Sequence, residues 1–129
     1  MKQISYPALQ GGAKTIKTMK IFAIPVENGI LNNHFGHTRQ FALVAVEGSQ
    51  IISDTVIDAP AHQPGLLPRW LADVGTTDVI VGGIGQQAVA IFEAQNIKVH
   101  IGARQKNAIE LVNDYINEKL IVDENKCDH

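Results

Sequence analysis

The chain has 129 residues, of which 45% are hydrophobic and 19% charged. That length supports one well-buried core and is too short for two ordinary domains. Eleven Lys and Arg are scattered among thirteen acids for a net charge of -2, so there is no basic field to hold a nucleic acid. One cysteine, Cys127, rules out an intrachain disulfide and suits a reducing cytoplasm. No apolar run approaches the ~20 residues of a membrane span.

Residues 1–18 lack the apolar stretch of a secretory signal and show little periodicity, which predicts a mobile leader ahead of the domain. Residues 20–26 then read as a buried strand, followed by a loop with turn signals at Asn28-Gly29 and Asn32-Asn33. Two β-rich runs, 40–47 and 50–57, are separated only by Gly48-Ser49, which predicts a hairpin. Leu67, Trp70, Leu71 and Val74 form one apolar stripe of a helix, with Pro68 in its first turn and Gly75 closing it.

Strand 78–81, the turn Gly82-Gly83-Ile84-Gly85, a helix carrying Ala88, Ile91 and Phe92, and strand 97–101 follow in an order that implies a right-handed parallel crossover. A last helix is expected over about 105–118, with Ala108, Ile109, Val112, Tyr115 and Ile116 on one face. The sum is an α/β domain over 19–122 with a mixed sheet of about five strands and about three helices. Residues 123–129 read as a flexible tail.

The turn before the second helix fits G-x-G-x-x-A, the dinucleotide fingerprint as a string. It lacks the acid about 20 positions later that binds the ribose: Ile101-Gly102-Ala103-Arg104 stand there. What the glycines still offer is close approach of backbone N–H groups to an anion at a helix start. Tight strand-to-helix packing is the competing use of Gly82, Gly83 and Gly85.

Metal-ligating candidates gather elsewhere. His34 and His37 lie three residues apart in the loop Asn33-His34-Phe35-Gly36-His37, at the mouth of the predicted sheet. Two imidazoles make an incomplete zinc site. His62 lies in a later loop, and Cys127 with His129 would suit a soft metal or a metal-sulfur fragment. One thiol cannot hold an iron-sulfur cluster, so a cluster would need histidine, non-covalent contacts or a dimer. His100, alternating with Val99 and Ile101, reads as a core or surface residue. There is no nucleophile elbow, no P-loop and no row of carboxylates for a two-metal nuclease, so an enzyme is disfavoured.

The chain resembles the dinitrogenase iron-molybdenum cofactor biosynthesis family over about residues 19–118. The resemblance is carried by Lys20–Val26, by His34-Phe35-Gly36 followed by Phe41, and by Leu67-Pro68-Arg69-Trp70-Leu71 with Gly75. It continues through Val79–Gly85 with Ala88 and Phe92 to Asn96–Val99. It implies a ribonuclease-H-like three-layer fold without nuclease activity, and a non-enzymatic role in binding or carrying a molybdenum- or iron-containing sulfur cluster or its precursor. His34 matches the family's metal-binding position near the sheet mouth. Cys127-Asp128-His129 looks like a truncated form of the family's Cys/His-rich tails, and Asn96 stands where the family often has glycine.

These readings combine into a cradle over the strand ends. His34 would be the ligand and Gly83–Gly85 the N–H donors, Phe35 and Ile84 would exclude water, and His37, His62, Cys127 and His129 would assist. The partners expected are a cluster donor and an acceptor, with no nucleic acid or membrane, for a monomer or a homodimer joined by sheet edges. The rival is a cofactor-free interaction or regulatory domain of the same fold.

Overall fold

The structure, a computed structural model, describes residues 19–61, 63 and 65–122. The elements in chain order are β1 (Met19–Glu27), β2 (Ile30–Leu31), a 3-10 turn (Phe35–His37), β3 (Gln40–Glu47) and β4 (Gln50–Asp58). Then come α1 (Leu66–Asp73), β5 (Asp78–Val81), α2 (Gln86–Ala94), β6 (Lys98–Ile101) and α3 (Ala108–Ile116). The expected leader and tail fall outside the described residues.

The main sheet runs in the order β4-β3-β1-β5-β6, with β2 attached to β1. β3 is antiparallel to both its neighbours, while β1, β5 and β6 are mutually parallel. One reversed strand in a mixed five-strand path, flanked by helices, is the expected three-layer α/β arrangement. The two-residue β2 is the addition, too short to show any period.

β1 is central, which explains why Phe22–Val26 are all buried and read as an unbroken apolar run. Alternation then divides the core. Phe22, Ile24, Val44 and Ile80 face α3 with Leu111 and Val112, and Ala23, Phe41, Val79 and Val81 face α1 and α2 with Leu71 and Phe92. Pro25 is tolerated because the β5 ladder has closed by Ala23. Its carbonyl accepts the N–H of Asn32 at 2.8 Å, so the missing donor faces a stretch β5 does not reach.

The helices follow their local signals with two corrections. Gly75 ends α1 at φ +95°, as a C′ glycine should, but Val74 at the C-cap is exposed rather than part of the buried stripe. α3 begins at Ala108, three residues later than expected. Asn107 caps it, accepting from Glu110 N–H at 2.8 Å while Glu110 accepts from Asn107 N–H. The preceding residues serve β2 instead: Lys106 C=O accepts from Leu31 N–H, and Gln105 Nε2 donates to Leu31 C=O. Asn96 takes φ +62° after α2, a conformation asparagine tolerates better than most residues. None of the described helices is long and apolar enough to cross a membrane.

Candidate functional site

The carboxyl ends of β1 and β5 and the start of β3 meet at one end of the sheet, where β1 has a parallel neighbour on one side and an antiparallel one on the other. Ligands of open α/β sheets collect at such a reversal. The loop from Asn32 to Arg39 covers it.

That loop is built as an anchor with outward arms. Phe35 is buried, edge-on to Phe41 at 5.7 Å and to Phe92 at 5.6 Å, while His34, Gly36 and His37 on either side of it are exposed. The main chain around His34 is tied down. Its N–H donates to Asn32 Oδ1 at 2.9 Å, and its carbonyl accepts from His37 N–H at 3.0 Å and from the Thr38 hydroxyl at 3.1 Å. The two imidazoles stand 6.5 Å apart, near perpendicular at 78°. They share a surface but are not arranged as a ready chelate.

Between this loop and β3 and β4 opens a cleft of about 1020 Å³. Gly36 and His37 form one wall, and the others carry Glu27, Asn28, Asn32, Arg39, Gln40 and Asp58. One guanidinium faces two carboxylates, and Gln40 Nε2 donates to Asp58 at 3.3 Å. A free anion gains no net Coulomb attraction from such a lining. Coordination by imidazole, or hydrogen bonds from the amides, would have to hold it.

The glycine turn adjoins the loop from the other side. A Cβ on Gly82 would overlap the end of the Asn33 side chain, so a substitution here would push that side chain aside, whereas the backbone angle sets no demand for glycine. Gly82, Gly83 and Ile84 are buried and only Gly85 is exposed, at the N-cap of α2. The expected cradle is therefore divided. His34, Phe35, Gly36 and His37 lie together, and Gly83–Gly85 adjoin them through the Asn33–Gly82 contact, but neither His34 nor that turn lines the cleft. Phe35 and Ile84 belong to the core below. His62, Cys127 and His129 lie outside the described residues. Among the described residues no group of three or more His, Cys, Asp and Glu converges on one point.

Arg39, Gln40 and Asp58 do not stand out in the sequence as site residues, and Asn33 does so only as a turn residue that opens the histidine loop. Arg39 and Gln40 follow directly on the histidine loop, and that adjacency was the signal available. At the opposite end of the sheet the structure also shows an unexpected polar cluster. Asp78, fully buried, accepts from the Thr77 hydroxyl at 2.7 Å, pairs with His100 Nε2 at 3.1 Å and faces Lys20 Nζ at 3.5 Å. Burial pushes its carboxyl upward, but the hydrogen bonds from His100 and Thr77 and the charge of Lys20 outweigh that and hold it below its ordinary value. His100 is thus a structural partner, packed edge-on against Tyr115.

The profile of the family described as dinitrogenase iron-molybdenum cofactor matches residues 19–118. The chain belongs to that family. Among curated proteins, an uncharacterised protein of Methanocaldococcus jannaschii is 33% identical over 90 residues, covering 66% of this chain and 75% of that protein. The crystal structure of PH0822 superposes with a TM-score of 0.75 at 30% identity, covering 80% of this chain and 94% of that one. The apo form of the orange protein from Desulfovibrio gigas superposes with a TM-score of 0.66 at 19% identity, over 84% of this chain and 96% of that one, a likeness of fold. In this chain, then, the histidine loop stands over one end of a sheet whose fold these structures share.

Proposed function

We propose that this chain is a non-catalytic binding and carrier protein for a molybdenum- or iron-containing sulfur cluster, or its precursor, acting in the cytoplasm between a donor and an acceptor protein. The observation that carries the reading is the loop: a buried Phe35 fixes the main chain while His34 and His37 stay exposed beside the cleft. Membership of a family described by the iron-molybdenum cofactor supports it.

The residues fit a cargo better than a resident metal. His37 in the cleft wall and His34 beside it would supply bonds to an exposed metal of the cluster, and Asn28, Asn32 and Gln40 would supply N–H donors to its sulfur or oxygen atoms. An incomplete ligand set leaves coordination positions for an acceptor to attack, which is what hand-over requires. Arg39 offsets one of the two carboxylates and so limits the cleft's repulsion of a negative guest.

The cofactor-free regulatory reading has one observation in its favour, that Asn33 already fills the approach to Gly82. Anaerobic reconstitution with tetrathiomolybdate or an iron-sulfur donor, followed by removal of free metal and analysis of what remains bound, decides between them. Stoichiometric metal on the parent chain and loss in the His34→Ala, His37→Ala double variant is the expected result. Equal retention by parent and double variant removes the histidines from the site. No retention by the parent leaves the regulatory reading standing.

A further inference from the structure

β4 is the edge of the sheet, and no described strand pairs with its outer side. It is nine residues long, seven of them exposed, with Ile52 at 49% and Val56 at 54% exposure among its apolar side chains. It carries no Pro, Lys or Arg, the usual guards of an open edge; its charges are Asp54 and Asp58 alone. A groove of about 420 Å³ runs between it and α3, with Val44, Val56 and Ile109 in its lining.

The hydrogen-bond parity of this edge is fixed. Ala59 N–H donates to Arg39 C=O at 2.8 Å, and the register continues as Phe41 opposite Ile57 and Leu43 opposite Thr55. In an antiparallel ladder, Ser53, Thr55 and Ile57 therefore turn their main-chain groups toward β3, and Asp54, Val56 and Asp58 turn theirs outward. Below Ser53 the register skips Ile52, a bulge that ends the regular edge. The stretch open to pairing is Ser53–Asp58.

The geometry points to a second copy of this chain as the occupant, paired antiparallel through β4 about a two-fold axis at Thr55. Charge and parity select that register. Centring on Asp54 sets the carboxylate against itself, and centring on Val56 sets Asp54 against Asp58. Centring on Ile57 runs the partner of Asp54 past the end of the strand. With the axis at Thr55, Asp54 hydrogen-bonds across to Val56 of the partner subunit, no acid stands directly opposite an acid, and the two Val56 side chains, like the two Asp54 carboxylates, become diagonal neighbours. The two Thr55 residues face each other in a closely spaced, non-hydrogen-bonded pair. Pairing of this length buries less than the ~800 Å² per partner of a stable complex. The dimer is accordingly weak and concentration-dependent.

Cysteine cross-linking tests the register, in a Cys127→Ser background and with a mild oxidant at high protein concentration. Thr55→Cys should form a disulfide dimer at least about tenfold faster than Ser53→Cys, whose two copies would stand about 14 Å apart along the ladder, beyond disulfide reach. On the unsubstituted chain, amide exchange at Asp54 and Val56 should slow as concentration rises. Equal cross-linking rates overturn the proposal. So do Asp54 and Val56 amides whose exchange ignores concentration, whether fast, as for a bare edge, or slow, as for an edge covered by another part of the same chain.

Discussion

The two ends of the sheet use histidine in opposite ways. At the amino end of β5, His100 is half-buried and bonded to a fully buried carboxylate, with Lys20 and Tyr115 completing the packing around it. At the carboxyl end, His34 and His37 are exposed, and the hydrogen bonds that hold the loop at His34 run through its main chain. A carboxylate partner that fixes a ring also occupies one of its nitrogens. The contrast says which histidines hold the protein together and which are presented to something else.

The largest effect expected is at the joint between scaffold and loop. Phe35→Ala empties a space between Phe41 and Phe92 and should lower stability by about 3 to 5 kcal/mol, measured by denaturant unfolding. It should also abolish metal retention, because both imidazoles depend on that anchor. A Phe35→Ala protein as stable as the parent would mean that the loop is not seated on the core.

Asp78→Asn breaks the comparison from the other end. It removes the charged acceptor shared by His100, Thr77 and Lys20 and should cost about 2 to 3 kcal/mol, leaving metal retention unchanged. The sign of the pH dependence follows. Because folding lowers the Asp78 pKa, the stability it contributes is present above the ordinary carboxylate value near ~3.9 and is lost as pH falls through the lower folded value. The parent should lose stability on acidification below about pH 4, and the Asn variant should lose less. Identical acid profiles would remove Asp78 from the account.

Gly82→Ala should have a smaller effect, about 1 to 3 kcal/mol, since the new methyl meets one polar side chain at the loop and not a packed aromatic. Adding Asn33→Gly should restore stability. If it does not, the strain lies elsewhere in the turn.

Much of this was readable from the chain because β1, β3, β4 and β5 carry either unbroken apolar runs or clean turn signals at Asn28-Gly29, Gly48-Ser49 and Gly75. What escaped depends on contacts distant in sequence. β2 returns onto β1 for only two residues, and the Leu31–Lys106 contact that backs it, far apart in sequence, goes with the late start of α3 at Ala108. Nothing local in sequence marks Asp78 as part of a cluster, since its partner His100 lies 22 residues on and is brought beside it by β6. The site shows the same limit: His34 and His37 are legible as neighbours, whereas the Asn33–Gly82 contact and the side on which the cleft opens arise only when β1 and β5 are aligned.

The smallest effect on stability should come from the residue with the largest effect on binding. His34 presents an exposed ring, and the hydrogen bonds around it run through its main chain, which alanine keeps. His34→Ala should therefore shift stability by no more than about 0.5 kcal/mol, the ordinary range for surface substitutions. His100→Ala, which strands a buried carboxylate, should shift it by about 1 to 3 kcal/mol. Metal retention should rank the two variants in the reverse order, lost in the first and kept in the second. Measuring both properties on both variants separates a presented imidazole from a structural one, because a site whose histidines merely shape their loop would lose stability with His34 and have no metal to lose.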